Sequence, residues 1–369
     1  SFTIDETIDA NSDRMTVSFV DKATNTTMDV LIADISLDGI APIAPQGVDL
    51  VPTSHEIEVI WDKNSEDDIA GYNVWKSSSK DGAFVQLNTS LVTSNSYIDD
   101  GLTNVEIFYY YVTAQDENGN ISTDSESTFG FAASYRGGTL ISSENWDPDD
   151  NPFIIVGDVI VDEAAVITIQ PGALIWGFLD GHLIAEGQIK ALGKEDNKIT
   201  FVSFFDLGDE GYWKGVTVKT DVTSVSTESD ILENGSVFDH CVITDAEYGI
   251  SIEDGGSAII KNTELSGNNG GVYLLDSGMS FIHDNQIKLN TQSGIIGDAS
   301  ENGVTQRVTI NDNQINTNVE YGINFLGHIS GTIRDFTIQG NTIGDNDIGG
   351  IRTSGINEAT FTLNIIKAN

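Results

Sequence analysis

Two carboxylates in the second half of the chain stand at the same offset from the same marker. Glu253 follows Gly249-Ile250, and Asp298 follows Gly294-Ile295, each as the third residue after the Ile. Arg352 directly follows Gly350-Ile351. Hydrolysis of a glycosidic bond needs two carboxyl groups roughly 5–9.5 Å apart. A lyase needs an acidic cluster holding a metal and a basic residue that takes a proton, a part Arg352 has the chemistry to play. A second group, Asp147, Asp149 and Asp150, offers hard oxygen donors close enough in sequence to share a calcium ion. Calcium is the one cofactor these residue types suggest. No Cys/His spacing for zinc, no Gly-rich loop leading into a helix and no Ser-His-Asp grouping is present. His240 and His283, beside Asp239 and Asp284, read more simply as residues of solvated turns than as an acid–base patch.

What would position such a pair is a repeat. Phe238-Asp239-His240-Cys241-Val242-Ile243 recurs as Ile260 to Leu265, Ile282 to Ile287, Ile310 to Ile315, Ile338 to Ile343 and Phe361 to Ile366. The spacing, roughly 20–30 residues, is that of stacked coils. One polar slot recurs in each copy, and we place in it Cys241, Asn262, Asn285, Asn313, Asn341 and Asn364 as a structural ladder. Stacked Asn side chains can bond to the turn above and below, and Asn tolerates left-handed backbone. A second marker, Gly-Ile or in one copy Gly271-Val272, follows each of the first five slots. Alternation in the short apolar runs points one residue inward and the next outward. If Ile250, Val272, Ile295, Ile323 and Ile351 point inward, one outward column holds Ser251, Tyr273, Ile296, Asn324 and Arg352. The next holds Glu253, Leu275, Asp298, Leu326 and Ser354. Glu253 and Asp298 then sit two coils apart, roughly 9.6 Å along the stack, at the outer limit for an inverting pair.

The chain has 369 residues, one Cys and a formal net charge of −40 from 57 acidic and 17 basic residues. That length admits two or three folded units. Phosphate binding needs a basic face, so nucleic acid is an unsuitable partner. No apolar run is long enough to cross a membrane as a helix, and one Cys allows no internal disulfide. The simplest meaning of the charge is solubility in a salty medium.

Upstream of the repeat, Trp61-Asp62-Lys63-Asn64, Asp68 to Val74, Phe84 to Asn88 and Tyr109 to Asp116 resemble a bacterial fibronectin type III domain across residues 40–130. Phe108 stands where that family has its corner tyrosine. The resemblance implies a sandwich of about seven strands serving as a spacer or binding module. Met15 to Thr27, followed by Val30 to Asp38, is similar to the last two strands of an immunoglobulin-like repeat, so residues 1–39 read as a partial segment that pairs with another surface. Residues 139–369 resemble right-handed parallel β-helix proteins of the pectate-lyase-like superfamily. About nine turns, on the order of 40 Å, are expected, with 221–235 as an excursion loop.

That superfamily includes polysaccharide lyases and hydrolases, and Glu253, Asp298 and Arg352 are the candidates for such chemistry. The usual hydrolase signatures are not found as a set. The expectation is therefore an all-β, extracellular, structural or adhesive surface protein, more simply not an enzyme. Its flank would meet surface glycans through Ser251, Tyr273, Asn324 and Arg352. Its partners would be those glycans or other copies of itself, with another chain covering the last coil. The alternative is a lyase or glycoside hydrolase acting on an acidic polysaccharide.

Overall fold

The computed structural model describes residues 18–21, 26–29, 39–178, 180–204, 213–220, 234–327 and 331–367. Nearly all regular structure is β, as the short alternating runs require. Among the described residues no helix is long and apolar enough to cross a membrane.

The chain divides into two compact units. The first carries a sandwich of seven strands. Asp49–Thr53, Glu56–Ile60 and Ser96–Asp100 form a three-stranded sheet; Val85–Gln86, Ile69–Ser77, Phe108–Asp116 and Thr128–Gly130 form a four-stranded one. Period-two alternation sends Ile57, Val59, Tyr72, Val74, Tyr110, Val112 and Ala114 inward, all buried. Trp61 meets Tyr72 edge-on, with ring centroids 5.2 Å apart. Of the segment 1–39, an antiparallel hairpin of Ser18–Asp21 with Thr26–Asp29 is described. Both strands fall inside Met15 to Asp29; the expected strand Val30 to Asp38 lies outside the described residues. The proposed partner surface for this segment, and the loop 221–233, lie outside the described residues.

The second unit is a parallel β-helix with three strands per coil. One face contains nine strands, from Glu144–Trp146 through Val308–Asn311 to Ala359–Thr362, each hydrogen-bonded in parallel to the next. The second face includes Cys241–Thr244, Glu264–Ser266, Gln286–Lys288, Gln314–Asn316 and Thr342–Gly344. The third includes His182–Ala185, Trp213–Val218, Ala246–Glu253, Gly270–Leu275, Ile295–Ala299, Tyr321–Gly327 and Gly349–Ser354. One continuous apolar core runs up the axis, with Ile260, Ile282, Ile310 and Ile338 in one row and Ile250, Val272, Ile295 and Ile323 in another. No coil buries this surface alone; stacking does it. Two of the longer coils carry an added parallel pair, Val304–Gln306 with Thr332–Arg334.

Core volume also explains one glycine. Gly297 lies in register with Leu274 and Phe325, and the Phe325 ring occupies the space a Cβ on Gly297 would need. Phe325 in turn packs on Phe336, with centroids 4.5 Å apart. Gly297→Ala is therefore expected to destabilise by about 1–3 kcal/mol through overpacking. Thermal unfolding followed by circular dichroism checks this.

Two rows of polar side chains, mostly buried Asn, pin the corners. The first runs Cys241, Thr263, Asn285, Asn313, Asn341, Asn364. The Cys241 N–H donates to Thr263 Oγ1 (3.2 Å), the Thr263 N–H to Asn285 Oδ1 (2.9 Å), and the Asn285 N–H to Asn313 Oδ1 (3.0 Å). The Asn313 N–H donates to Asn341 Oδ1 (3.0 Å) and the Asn341 N–H to Asn364 Oδ1 (3.1 Å). Asn262 is not a rung, which corrects the sequence assignment. It sits one residue earlier, at φ 50°, in the row of left-handed corners with His240, Asp284, Asp312 and Gly340. Its exposed side chain bonds Asp239 instead. Asn tempted the assignment because it serves both slots, whereas the buried slot accepts Thr as well. Rung spacings are then 22, 22, 28, 28 and 23 residues.

The second row, Asn268, Asn290, Asn318 and Asn346, is fully buried and repeats the pattern at the next corner. It was not anticipated from the sequence. Its signal was present, since each of these Asn residues stands at the same short distance after a rung of the first row.

Candidate functional site

The third face of the helix brings the candidate residues onto one outer surface. The parallel register aligns Ser251, Tyr273, Ile296, Asn324 and Arg352 in one column, and Glu253, Leu275, Asp298, Leu326 and Ser354 in the next. Glu253 and Asp298 are thus separated by the single intervening coil of Leu275. Arg352 stands two coils beyond Asp298, so it does not join the carboxylates. Its guanidinium lies 5.5 Å from the centroid of the Tyr321 ring, a cation–π contact.

Not every residue assigned to binding reaches the surface. Ser251 is 3% exposed and Asn324 6%, so of the four residues assigned to binding only Tyr273 and Arg352 reach solvent appreciably. Asn324 Oδ1 is buried with no hydrogen-bond partner. The short side chains point outward but lie below their larger neighbours.

An aromatic platform adjoins Glu253. Tyr248 and Tyr273 stack with centroids 4.6 Å apart and planes inclined by 16°. Tyr248 lies in register with Gly270, and a Cβ there would strike its ring, so the glycine makes room for the platform. Tyr248 was not singled out in the sequence. Its signal was the triplet Tyr248-Gly249-Ile250, which recurs as Tyr321-Gly322-Ile323. Tyr321 likewise lies beside Gly349.

The electrostatics of the flank are set by partial burial. Desolvation raises the Glu253 carboxyl above its ordinary range; Lys219 opposes this, while Asp254 and Glu247 add to it. Lys219 is held by a 2.9 Å ion pair to Asp254, so it does not neutralise Glu253 alone. Burial, with Asp298, Tyr248, Glu253 and Asp276 nearby, pushes the Tyr273 hydroxyl up to about 12. Tyr273 therefore feels both carboxylates and remains a donor throughout the working range.

A raised carboxyl favours the folded state while protonated. Its contribution is present below the ordinary Glu pKa and is lost as pH rises through the raised value. Glu253→Gln, permanently neutral, should therefore be more stable than the parent at neutral pH. That advantage should vanish below the carboxylate range. Melting curves for both proteins at several pH values check the sign.

At the early end of the same face, His182 Nε2 lies 2.8 Å from Thr217 Oγ1 and Nδ1 3.7 Å from Asp158. Burial lowers the imidazole's pKa, leaving it neutral. His240 and His283 do not share a column. His283 aligns with Asp239 and Lys261, while His240 occupies the corner row. His283 Nδ1 is hydrogen-bonded to Asp284 at 2.8 Å, whereas His240 Nδ1 lies 2.7 Å from Asp239 without hydrogen-bond geometry. Cys241 is a free thiol whose burial pushes its pKa far up, so it acts as a core residue.

Asp147, Asp149 and Asp150 do not converge. Asp147 Oδ1 accepts the Asp149 N–H and caps a single 3-10 turn, Pro148–Asp150, while Asp150 Oδ1 accepts from the Ser54 hydroxyl at 2.9 Å. Among the described residues no three His, Cys, Asp or Glu side chains group as metal ligands. The calcium expectation for this segment is corrected accordingly.

Comparison with known proteins fits the architecture. Residues 218–366 match the family model described as right handed beta helix region. That segment is a right-handed parallel β-solenoid. Over 104 residues, 28% of this chain, the sequence is 31% identical to amylopullulanases from Thermoanaerobacterium saccharolyticum and Thermoanaerobacterium thermosulfurigenes. The match spans 8% and 5% of those enzymes' lengths. Among solved structures, an Fn3-like protein from Clostridium thermocellum is 26% identical, covering 24% of this chain and 92% of that one, with a TM-score of 0.22. A beta-1,2-glucanase from Parabacteroides distasonis is 24% identical over 29% of this chain and 15% of its own, with a TM-score of 0.24.

Proposed function

We propose that the chain is the carbohydrate-active part of a secreted or surface protein, and that the third β-helix face binds and cleaves a polysaccharide. The observation that carries this reading is Glu253. It is a half-buried carboxyl held above its ordinary range, beside a stacked tyrosine pair, with a second carboxylate two coils away. Ring faces of Tyr248 and Tyr273 suit the C–H-rich faces of sugars, and a few placed polar groups fix orientation. A carboxyl that keeps its proton suits general-acid attack on the leaving oxygen. Asp298, roughly 9.6 Å along the stack, leaves room for a water between the two groups. Glu253 is the acid in this reading, and Asp298 the base.

The charge of the flank argues for a neutral polymer. Glu247, Glu253, Asp254, Asp276 and Asp298 all act on this surface, so a polyanion would meet repulsion. The enzyme name carried by the two Thermoanaerobacterium relatives points to the same broad class of substrate. The all-β build and the lack of a membrane-crossing helix among the described residues accord with an exported protein.

The test is incubation of the protein with pullulan, starch, other neutral glucans and acidic polysaccharides, following reducing ends and unsaturated products. Reducing ends from a neutral glucan are expected. Binding without any product would leave the adhesive role of the same flank in its place. Unsaturated products from an acidic polymer would replace hydrolysis with elimination.

A further inference from the structure

The sandwich unit contains one ion pair unlike the others. Lys76 Nζ lies 3.0 Å from Asp99 Oδ1 and 2.8 Å from Asp99 Oδ2, so it faces the carboxyl carbon rather than one oxygen. The Asp99 side chain is 8% exposed. The carboxylates paired with lysine elsewhere among the described residues, Asp158, Asp239, Asp254 and Glu264, are 22–66% exposed. Two aromatic rings close the site. The Phe108 ring centroid is 4.9 Å from Lys76 Nζ, and the fully buried Tyr110 donates its hydroxyl to Asp99 Oδ2 at 2.8 Å. Tyr110 stands directly opposite Lys76 on the neighbouring strand. Burial and the bond to Asp99 raise the Tyr110 hydroxyl, so it stays a donor.

We propose that Lys76 and Asp99 condense to an intramolecular amide, a covalent tie between the two sheets of the sandwich. Lys76 belongs to the strand Ile69–Ser77 of the four-stranded sheet and Asp99 to Ser96–Asp100 of the three-stranded one. The step balances without any added reagent. One proton passes from the ammonium to the carboxylate, giving a neutral amine and a carboxylic acid. The Nζ–Cγ bond forms, and negative charge gathers on Oδ2, where the Tyr110 hydroxyl is already aimed. The Cγ–Oδ1 bond then breaks, and Oδ1 leaves as water with the acid proton and one amine proton. The other amine proton stays on nitrogen as the amide N–H, and the oxygen's charge returns to the carbonyl, so the products are one amide and one water. Nothing is oxidised or reduced. Fixed contact between the two groups replaces an encounter in solution, and effective molarities for such arrangements reach about 10⁵–10⁸ M. The Asp99 carboxyl is 8% exposed against 24% for the Lys76 side chain, so the carbonyl that forms lies at the more sheltered end of the pair.

The test is the intact mass of the purified full-length chain. A mass one water below the sequence value is expected, together with a protease-derived species joining the Lys76 and Asp99 peptides. Lys76→Arg and Asp99→Ala should each return to the mass of their own sequence. Tyr110→Phe keeps the ring and removes the oxyanion donor, so it should yield a mixture of tied and untied chains. A parent mass equal to the sequence value, with both peptides recovered free, overturns the proposal and leaves an ordinary buried ion pair.

Discussion

Asn313→Leu is expected to lower the stability of the β-helix by several kcal/mol, on the order of 5 kcal/mol. One side chain there serves four partners. Asn313 Nδ2 donates to the Ile282 carbonyl (2.8 Å) and to Asn341 Oδ1 (2.9 Å), and its Oδ1 accepts from the Asn285 N–H and Nδ2, both at 3.0 Å. Leucine fills a similar volume and satisfies none of them. Each buried polar group left without a partner costs about 1–3 kcal/mol, and partial relaxation keeps the sum below the full total. Asn262→Gly is the matched control. Its side chain is exposed and its backbone lies at φ 50°, which glycine adopts freely. That variant should remain within about 0.5 kcal/mol of the parent or gain stability. Urea titrations of the two variants decide the matter. Equal losses would mean that the buried rungs are not what holds the corners together.

The second large effect belongs to Glu253. Replacing a general acid by its amide removes the proton that the leaving oxygen requires, and such groups contribute about 10²–10⁴-fold. Glu253→Gln should therefore reduce kcat on the neutral glucan by about a thousandfold, with affinity little changed. The same variant is expected to be the more stable protein at neutral pH, because the desolvated charge is gone. Loss of activity with gain of stability is the pattern of a group held in an unfavourable state for function. Asp298→Asn should also remove turnover, since the water loses its base. Tyr273→Ala should weaken glycan affinity and leave the chemical step less affected. Calorimetric binding and initial rates, measured on the same preparations, separate the two kinds of loss.

Much of the scaffold was legible because repetition over-determines it. Ile250, Val272, Ile295 and Ile323 each follow a glycine, and the pleat then dictates that Tyr273 and Arg352 share an outer column. The same regularity placed Glu253 and Asp298 two coils apart. Asn262 shows where composition misleads. The left-handed corner and the buried rung are adjacent slots that both favour Asn, and only the hydrogen bonds of Thr263 tell them apart. Tyr248 was missed because it stands just before the Gly249-Ile250 marker, across an irregularity in the strand pairing near Gly215 and Val216. The depth of Ser251 and Asn324 could not be read from alternation, which gives direction but not the height of the neighbours. Asp147, Asp149 and Asp150 looked like a calcium loop because spacing alone does not reveal that a short turn already employs Asp147.

The separation of Glu253 and Asp298 makes a stereochemical commitment. Carboxyl groups roughly 5–5.5 Å apart act through a covalent intermediate and retain configuration, whereas a gap of about 6.5–9.5 Å admits a water and inverts it. Proton NMR of the newly released reducing end, recorded before mutarotation, reads this directly. The account predicts the inverted anomer from the parent protein and no product from Glu253→Gln. A retained anomer, or equal release by the parent and Glu253→Gln, would contradict it.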